Sequence, residues 1–152
     1  MNFSKELNLG RAGEYLAMSD ILLSGYQCFD SGQGATYDLI MEDEKGKLIK
    51  IQVKTTAKPK EWNSEIYQKS TSSYFFHTKR TGKGGTKTYK ESDFDIYALV
   101  MADIKKVAYL TNKDMPKASI TLRDKNLKYY NEQKAKYYQD YTLERALNEL
   151  SF

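Results

Sequence analysis

Two short segments joined by a glycine turn constrain this chain more than any other feature. Apolar and polar residues alternate from Tyr37 to Ile40, and again from Ile49 to Lys54. A period of two is typical of β-strands. Lys45-Gly46-Lys47 lies between the two segments and has the composition of a turn. The sequence therefore predicts an antiparallel β-hairpin.

The predicted hairpin brings chemically useful side chains together. Asp38 opens the first strand, while Gln52 and Lys54 share one face of the second, opposite Ile51 and Val53. Antiparallel pairing places Asp38 beside the end that carries Gln52 and Lys54. A carboxylate, an amide oxygen and an ammonium group then converge, which is what metal-dependent phosphodiester hydrolysis requires.

Length and composition indicate a single globular domain over residues 1–152, with 40% hydrophobic and 29% charged residues. No apolar run approaches the roughly 18 residues of a membrane-spanning helix, and the first residues lack the apolar core of a signal peptide. Cys28 is the only cysteine, which excludes an intrachain disulfide and a cysteine-rich zinc site. We therefore expect a cytoplasmic protein with no membrane partner.

The net charge of +4 is unevenly distributed. Residues 66–90 contain six basic side chains and no acidic one, whereas acidic residues outnumber basic ones in the rest of the chain. A solvated loop would explain part of this excess, but a cluster of one sign with glycines and aromatics fits a polyanion better. The candidate phosphate contacts are Lys79, Arg80, Lys83, Lys87 and Lys90.

The N-terminal region predicts a helix from Ser4, a plausible N-cap, to Ser24, with Gly25 as its stop. Gly10 and Gly13 lower its helix propensity but allow another backbone to approach closely. The predicted apolar face comprises Leu9, Ala12, Leu16, Ile21 and Leu23, and a short strand follows at Tyr26–Phe29.

The second half predicts more strands and a terminal helix. Phe94–Met101 reads as a strand buried on both faces, paired with Val107–Leu110. Asn131–Leu150 reads as a helix. We also expect an irregular stretch after Lys54, a strand at Tyr74–Phe76, a loop from Thr81 to Thr88, and a short strand or extended segment at Ile120 and Leu122.

The C-terminal region is rich in tyrosine. Tyr130, Tyr137 and Tyr141 would share one face of the predicted helix. This face would pack against the core or another subunit, and contact with bases or sugars is the alternative.

Three pieces of the chain, in this order, resemble the PD-(D/E)xK nuclease superfamily. They are Gly10-Arg11-Ala12-Gly13-Glu14, Tyr37-Asp38-Leu39-Ile40 and Ile51-Gln52-Val53-Lys54-Thr55. The later pattern from Tyr89 to Ala98 is most similar to group I intron-encoded homing endonucleases. The resemblance implies an α/β fold with a restriction-endonuclease-like core, in which helices flank a mixed β-sheet. It also implies Mg²⁺ as cofactor and double-stranded DNA as substrate.

The resemblance also implies a role for each matched residue. Asp38 would bridge Mg²⁺ and the scissile phosphate, and Gln52 and the Val53 carbonyl would complete the metal shell. Glu14 would bind the metal directly or through water, and Lys54 would orient the attacking water. The superfamily usually has an acidic residue where this chain has Gln52. Its neutral oxygen is a weaker ligand, so the same residue could mark a domain that has lost activity.

Other chemistry-bearing residues fit structural roles better. His77 is the only histidine and lies beside Phe75 and Phe76, so we expect it to be structural or to contact phosphate, and we expect no Ser-His-Asp system. The glycines at 82, 84 and 85 do not form a P-loop, and no nucleotide cofactor is expected. Asp93 and Asp95 flank a strand start, where capping and turn roles are common.

These observations together predict a Mg²⁺-dependent, sequence-specific double-strand DNA endonuclease, associated with intron homing. A Holliday-junction resolvase or a restriction-like nuclease would share the same site. A catalytically inactive DNA-binding module is the alternative from another class. Because one domain holds one site and a double-strand break needs two, we expect a homodimer or homotetramer.

Overall fold

The computed structural model describes residues 4–32, 34–64, 69–82, 85–127 and 132–150. In chain order the helices and strands are α1 (Lys5–Leu23), β1 (Gln27–Asp30), β2 (Leu39–Glu42), β3 (Leu48–Thr56), β4 (Lys60–Ser64), β5 (Lys69–His77), β6 (Arg80–Gly82), β7 (Gly85–Lys87), β8 (Ile96–Met101), β9 (Lys106–Thr111), β10 (Ser119–Leu122) and α2 (Leu143–Glu149). Two short 3₁₀ turns, Glu132–Lys134 and Tyr138–Asp140, precede α2.

A five-stranded mixed sheet forms the centre of the fold, in the order β1-β2-β3-β8-β9. β2 and β3 pair antiparallel, as the hairpin pattern predicts, and β8 and β9 also pair antiparallel. β3 and β8 pair in parallel, with Gln52 opposite Tyr97 and Lys54 opposite Leu99. All six residues of β8 are buried, which confirms the prediction of a strand covered on both faces. The mixed α/β architecture is also confirmed.

The central sheet separates two apolar layers. Ile96, Ala98 and Val100 of β8 belong to one layer, which also contains residues of α1 and α2. The alternate residues Tyr97, Leu99 and Met101 belong to a second layer with residues of β5 and β10. Successive side chains of a strand point to opposite faces, so one buried strand supplies both layers.

α1 begins and ends where the sequence predicts, but its buried face differs. Ser4 accepts a hydrogen bond from the Leu7 backbone nitrogen, and Gly25 follows the helix with a φ of 95°. The buried residues of α1 are Gly13, Ala17 and Ile21, spaced four apart, whereas Leu23 is 89% exposed. The predicted apolar face is thus confirmed at Ile21 and at Leu16, which packs against the core, but it is wrong at Ala12 and Leu23, which are exposed. The small residues Gly13 and Ala17 let the helix lie close to β3.

The strands predicted at Tyr74–Phe76 and around Ile120 are confirmed, because they lie in β5 and β10, which pair antiparallel. Two segments predicted to be irregular also form strands. β4 pairs with β5 over five residues, and β6 and β7 form a hairpin where the sequence predicts a loop. The polar sequence of β4, β6 and β7 hides the period-two signal, and backbone pairing with neighbours decides their structure.

The predicted terminal helix Asn131–Leu150 is wrong. Tyr137 has an extended backbone, and the chain on either side of it pairs with Arg123: the Arg123 nitrogen donates to the Lys136 carbonyl, and the Tyr138 nitrogen donates to the Arg123 carbonyl. α2 starts only after the Thr142 cap, whose hydroxyl accepts from Arg145 nitrogen at 3.2 Å.

Tyr137 and Tyr141 consequently do not share a helical face. Tyr138 and Tyr141 pack against the second apolar layer, while Tyr130 lies outside the described residues. Among the helices that the structure describes, none has the length and apolar character needed to cross a membrane.

Candidate active site

The β2–β3 hairpin fixes Asp38 against the middle of β3. The Asp38 backbone nitrogen donates to the Ile51 carbonyl at 2.8 Å, and the next residue, Leu39, is paired with Ile51. One carboxylate oxygen of Asp38, Oδ2, accepts hydrogen bonds from the Val53 backbone nitrogen at 2.8 Å and from Gln52 Nε2 at 2.7 Å. The predicted convergence of Asp38 and Gln52 is therefore present in the structure.

Gln52 is buried, with 9% of its surface exposed, and its amide nitrogen contacts two oxygen atoms. One is Asp38 Oδ2 and the other is the Val53 carbonyl, at 3.4 Å. Rotating the amide by half a turn would exchange its nitrogen and oxygen. The oxygen would then lie near Asp38 at a separation close to the roughly 3 Å between adjacent ligands of an octahedral Mg²⁺. The cluster can therefore supply oxygen ligands to a cation after a local rotation.

Lys54 lies two residues beyond Gln52 and is partly buried. Its ammonium nitrogen, Nζ, is 3.3 Å from the Tyr89 hydroxyl oxygen and 5.1 Å from the centre of the Tyr89 ring. The positive charge of Lys54 also lowers the pKa of Asp38, against the larger effect of burial. The sequence places Lys54 near Asp38, but it gives no signal for Tyr89 beyond its place in the pattern Tyr89–Ala98.

Burial raises the pKa of Asp38 above its ordinary value, although the Val53 N–H and Lys54 oppose this effect. A raised pKa means that the surroundings disfavour the negative form of the carboxyl group. A cation bound beside Asp38 would offset part of this cost by stabilising the negative form.

Glu14 reaches the same region from α1. Burial raises its pKa, and the negative charge of Asp38 raises it further, while Arg11 opposes both effects. Glu14, Asp38 and Arg11 line one cleft of about 360 Å³. A carboxyl group whose ionised form is disfavoured by burial and by a second carboxylate in the same cleft is common at functional sites.

The position of Glu14 depends on the preceding glycine. A Cβ atom built on Gly13 would lie 1.7 Å from Thr55 Oγ1 and 2.8 Å from Thr55 Cβ, whereas one built on Gly10 would meet nothing within 4 Å. α1 therefore contacts β3 at van der Waals distance through Gly13. This close approach brings Glu14 to the cleft that contains Asp38.

The donor set suits a hard cation. Asp38 and Glu14 provide carboxylate oxygens, and the Val53 carbonyl and Gln52 amide provide neutral ones, which are the ligand types of Mg²⁺ and Ca²⁺. Within the described ranges no group of three or more His, Cys, Asp or Glu side chains could hold a metal ion. A metal in this cleft would therefore depend on two carboxylates supplemented by neutral oxygens.

The basic segment is only partly described. Lys79, Lys87 and Lys90 are exposed, and the β6–β7 pairing sets Arg80 opposite Lys87. Lys83 lies outside the described residues, as does the side chain of Arg80. At the end of the segment, Lys90 directly follows Tyr89, whose hydroxyl contacts Lys54.

Asp93 and Asp95 make structural contacts of the kind expected from the sequence. Asp93 accepts from the Lys90 backbone nitrogen at 2.8 Å, and Asp95 accepts from the Lys50 backbone nitrogen at 2.9 Å. Both contacts tie turns to neighbouring segments. His77 is exposed and packs edge-to-face against Phe75, with ring centres 4.8 Å apart.

Comparison with known proteins identifies the family. The model of the PD-(D/E)XK endonuclease family matches residues 5–144. A bacterial homing endonuclease of known structure, I-Ssp6803I, superimposes with a TM-score of 0.64 at 20% identity, covering 96% of this chain and 93% of the other. A search of curated proteins found no match. Since the family match includes α1, the hairpin and the central strands, the chain belongs to the PD-(D/E)XK endonuclease family.

Proposed function

We propose that this protein is a Mg²⁺-dependent, sequence-specific double-strand DNA endonuclease of the homing type, acting as one domain with one site. The observation that carries the proposal is the pair Glu14 and Asp38: two carboxyl groups with raised pKa in one cleft, beside Lys54. The homing type is supported by the similarity in fold to I-Ssp6803I.

Each residue has a defined part in the proposed reaction. Asp38, Glu14, the Val53 carbonyl and the Gln52 amide oxygen would hold the cation. When bound, the cation supplies Lewis-acid stabilisation of the negative charge that develops on the phosphate. Lys54 orients the attacking water and balances part of that charge.

The rival hypothesis, an inactive DNA-binding module, is favoured by one contact. The Gln52 amide nitrogen donates to Asp38 Oδ2 at 2.7 Å, and a site that kept this hydrogen bond would offer one fewer oxygen to a cation. Cation binding and DNA cleavage together separate the two hypotheses.

We expect Mg²⁺ and Ca²⁺ to raise the unfolding temperature of the wild-type protein. When the free cation concentration is ten times the dissociation constant of the site, binding should add about 1.4 kcal/mol to the free energy of unfolding. Glu14→Gln should abolish the shift. Glu44→Gln should retain it, because Glu44 is an exposed carboxylate on the turn of the same hairpin. Equal shifts in all three proteins would contradict the assigned ligands.

Cleavage provides the second measurement. We expect the wild type to convert a plasmid library of partly palindromic inserts to linear DNA in Mg²⁺, and to leave it intact in excess chelator. Sequencing the ends would give the target and the overhang. Specific binding of a target without cleavage in Mg²⁺ or Mn²⁺ would favour the inactive module.

We further propose that Lys79, Arg80, Lys83, Lys87 and Lys90 follow the DNA backbone. If four lysines neutralise phosphates, their replacement by alanine should reduce the slope of log K against log[salt] by about 3.6. Target and random DNA should be weakened alike. Arg80 is retained in this variant, because a guanidinium can also read guanine bidentately.

The matched control replaces Lys5, Lys45, Lys106 and Lys134 with alanine. These lysines are exposed and lie outside the basic segment, so the control loses the same net charge. If both variants lower the slope equally, general charge rather than this segment binds the DNA.

A double-strand break needs two sites, so we propose a dimer or tetramer with two-fold related clefts and a partly palindromic target. Tyr138 and Tyr141 pack within the chain, and we therefore do not assign the interface to them. Sedimentation velocity with and without DNA should show an even number of subunits. A monomer in both conditions would contradict the proposed assembly.

A further inference from the structure

Tyr89 makes two contacts with the ammonium group of Lys54. Its hydroxyl oxygen lies 3.3 Å from Lys54 Nζ, within hydrogen-bond distance. The ring centre lies 5.1 Å from the same nitrogen, within the range of a cation–π interaction. Lysine has a long side chain with many rotamers. Its ammonium group stays in one place only when neighbouring side chains restrict it.

The Tyr89 ring is itself held by two buried aromatic side chains. Its centre is 5.0 Å from that of Phe94 and 6.2 Å from that of Tyr97, with interplanar angles of 82° and 78°. Phe94 and Tyr97 also pack edge-to-face, at 4.6 Å, and both are almost fully buried. Edge-to-face packing is favourable for aromatic rings, so the three rings form a rigid support.

The backbone around this support is fixed as well. Asn112 Nδ2 donates to the carbonyls of Lys90 and Phe94, at 2.9 and 3.1 Å. The Tyr97 hydroxyl donates to the Thr78 carbonyl at 3.1 Å. The atoms that contact Lys54 therefore belong to a well-anchored part of the fold.

We propose that Tyr89 is a positioning residue for Lys54: its hydroxyl and ring hold the ammonium group where phosphodiester cleavage needs it. This inference rests on the proposed function, in which Lys54 acts in cleavage. In this proposal Tyr89 affects the cleavage rate only by holding Lys54, and it does not itself contact the substrate.

The variants Tyr89→Phe and Tyr89→Leu separate the two contacts. Tyr89→Phe keeps the ring and removes the hydrogen bond to a charged group, and should lower the single-turnover cleavage rate about tenfold. Tyr89→Leu removes the ring as well and should lower the rate further. DNA affinity should remain near that of the wild type in both variants.

A double-variant cycle tests whether Tyr89 acts through Lys54. In a Lys54→Ala background, Tyr89→Leu should cause no further loss of the residual rate, because the group that it positions is gone. Independent losses that multiply would overturn the proposal. Normal cleavage by Lys54→Ala alone would instead overturn the proposed role of Lys54.

Tyr141→Leu is the matched control for packing. Tyr141 is half-buried against the same apolar layer and has its own cation–π contact, with Arg145 at 5.0 Å. It should lower the unfolding temperature to an extent similar to Tyr89→Leu without a comparable loss of rate. Equal rate losses in the two variants would show that Tyr89 acts only through stability.

A spectroscopic measurement tests the contact without relying on cleavage. A lysine side chain held by Tyr89 should move less than an exposed one, so the NMR order parameter of the Lys54 Cε methylene group should exceed that of exposed lysines such as Lys5. The order parameter should fall in Tyr89→Leu. A Lys54 methylene group as mobile as that of Lys5 in the wild type would overturn the proposed contact.

Discussion

Asp38→Ala and Lys54→Ala should each lower the rate of DNA cleavage at least about a hundredfold, which is typical for the loss of one group that stabilises charge in a transition state. Asp38 faces the cleft shared with Glu14, and Lys54 supplies the positive charge beside it. Because the two side chains converge at one site, we expect their removal to slow the cleavage step rather than to weaken DNA binding. The measurement is single-turnover cleavage at saturating enzyme, together with the affinity for uncut DNA, which should change little.

Asp38→Asn is the sharper variant for the same prediction. Both hydrogen bonds from Gln52 and Val53 end on one oxygen of Asp38, so an asparagine oxygen can accept them. Asp38→Ala instead leaves two buried donors unpaired, at a cost of about 1–3 kcal/mol each. The asparagine variant therefore separates the loss of charge from the loss of structure.

Because the pKa of Asp38 is raised, Asp38→Asn should also change how the stability of the protein depends on pH. The folded state of the wild type binds the Asp38 proton more tightly than the unfolded state, so the wild type loses stability as pH rises from the ordinary pKa through the raised one. In metal-free buffer Asp38→Asn should thus unfold at a higher temperature than the wild type at pH 7. The difference should shrink as the pH falls from the raised pKa of Asp38 to its ordinary value, and change no further below that value.

Full cleavage by Asp38→Asn or Lys54→Ala would overturn the assigned site. Asp43→Asn is the appropriate control for the aspartate change. Asp43 lies at the turn of the same hairpin and also accepts two backbone hydrogen bonds on one carboxylate oxygen. It should cleave at the wild-type rate.

Gly13→Ala should destabilise the fold and lower activity, whereas Gly10→Ala should do neither. An alanine Cβ at position 13 would lie 2.8 Å from Thr55 Cβ, an atom fixed by the β3 backbone, so rotation of the Thr55 side chain cannot relieve the clash. α1 must shift, at a typical overpacking cost of about 1–3 kcal/mol. The same shift moves Glu14 away from Asp38.

Gly10→Ala is the internal control, because it lies one turn earlier in the same helix and its Cβ would meet nothing within 4 Å. Alanine in a helix is favoured over glycine by about 0.5–1 kcal/mol, so this variant should be slightly more stable than the wild type. Thermal unfolding and cleavage rates of both variants give the comparison.

A compensating change tests the cause. Thr55→Gly removes the Cβ that an alanine at position 13 would contact, so it should recover part of the stability lost in Gly13→Ala. A Gly13→Ala protein as stable and active as Gly10→Ala would show that the contact between α1 and β3 adapts freely. In that case it would not set the position of Glu14.

Features predicted correctly from sequence depend on short segments with a strong local pattern. The hairpin follows from period-two alternation and a glycine turn, and the buried strand β8 follows from its continuous apolar run. The predictions of secondary structure that failed concern the stretch after Lys54, the segment from Thr81 to Thr88 and the C-terminal region, where polar or tyrosine-rich sequence fits several structures. In those regions pairing with distant strands decides between them, as the extended backbone at Tyr137 shows.

The sequence by itself determined the centre of the site. Asp38 and Gln52 are 14 positions apart on one hairpin, so local alternation and turn chemistry suffice to join them. Only the tertiary structure decided what surrounds them. Lys54 meets Tyr89 at a separation of 35 positions, and Glu14 reaches the cleft because Gly13 contacts Thr55. Both contacts depend on how β3 packs against β8 and α1, and long-range packing of this kind leaves no periodic signal in the sequence.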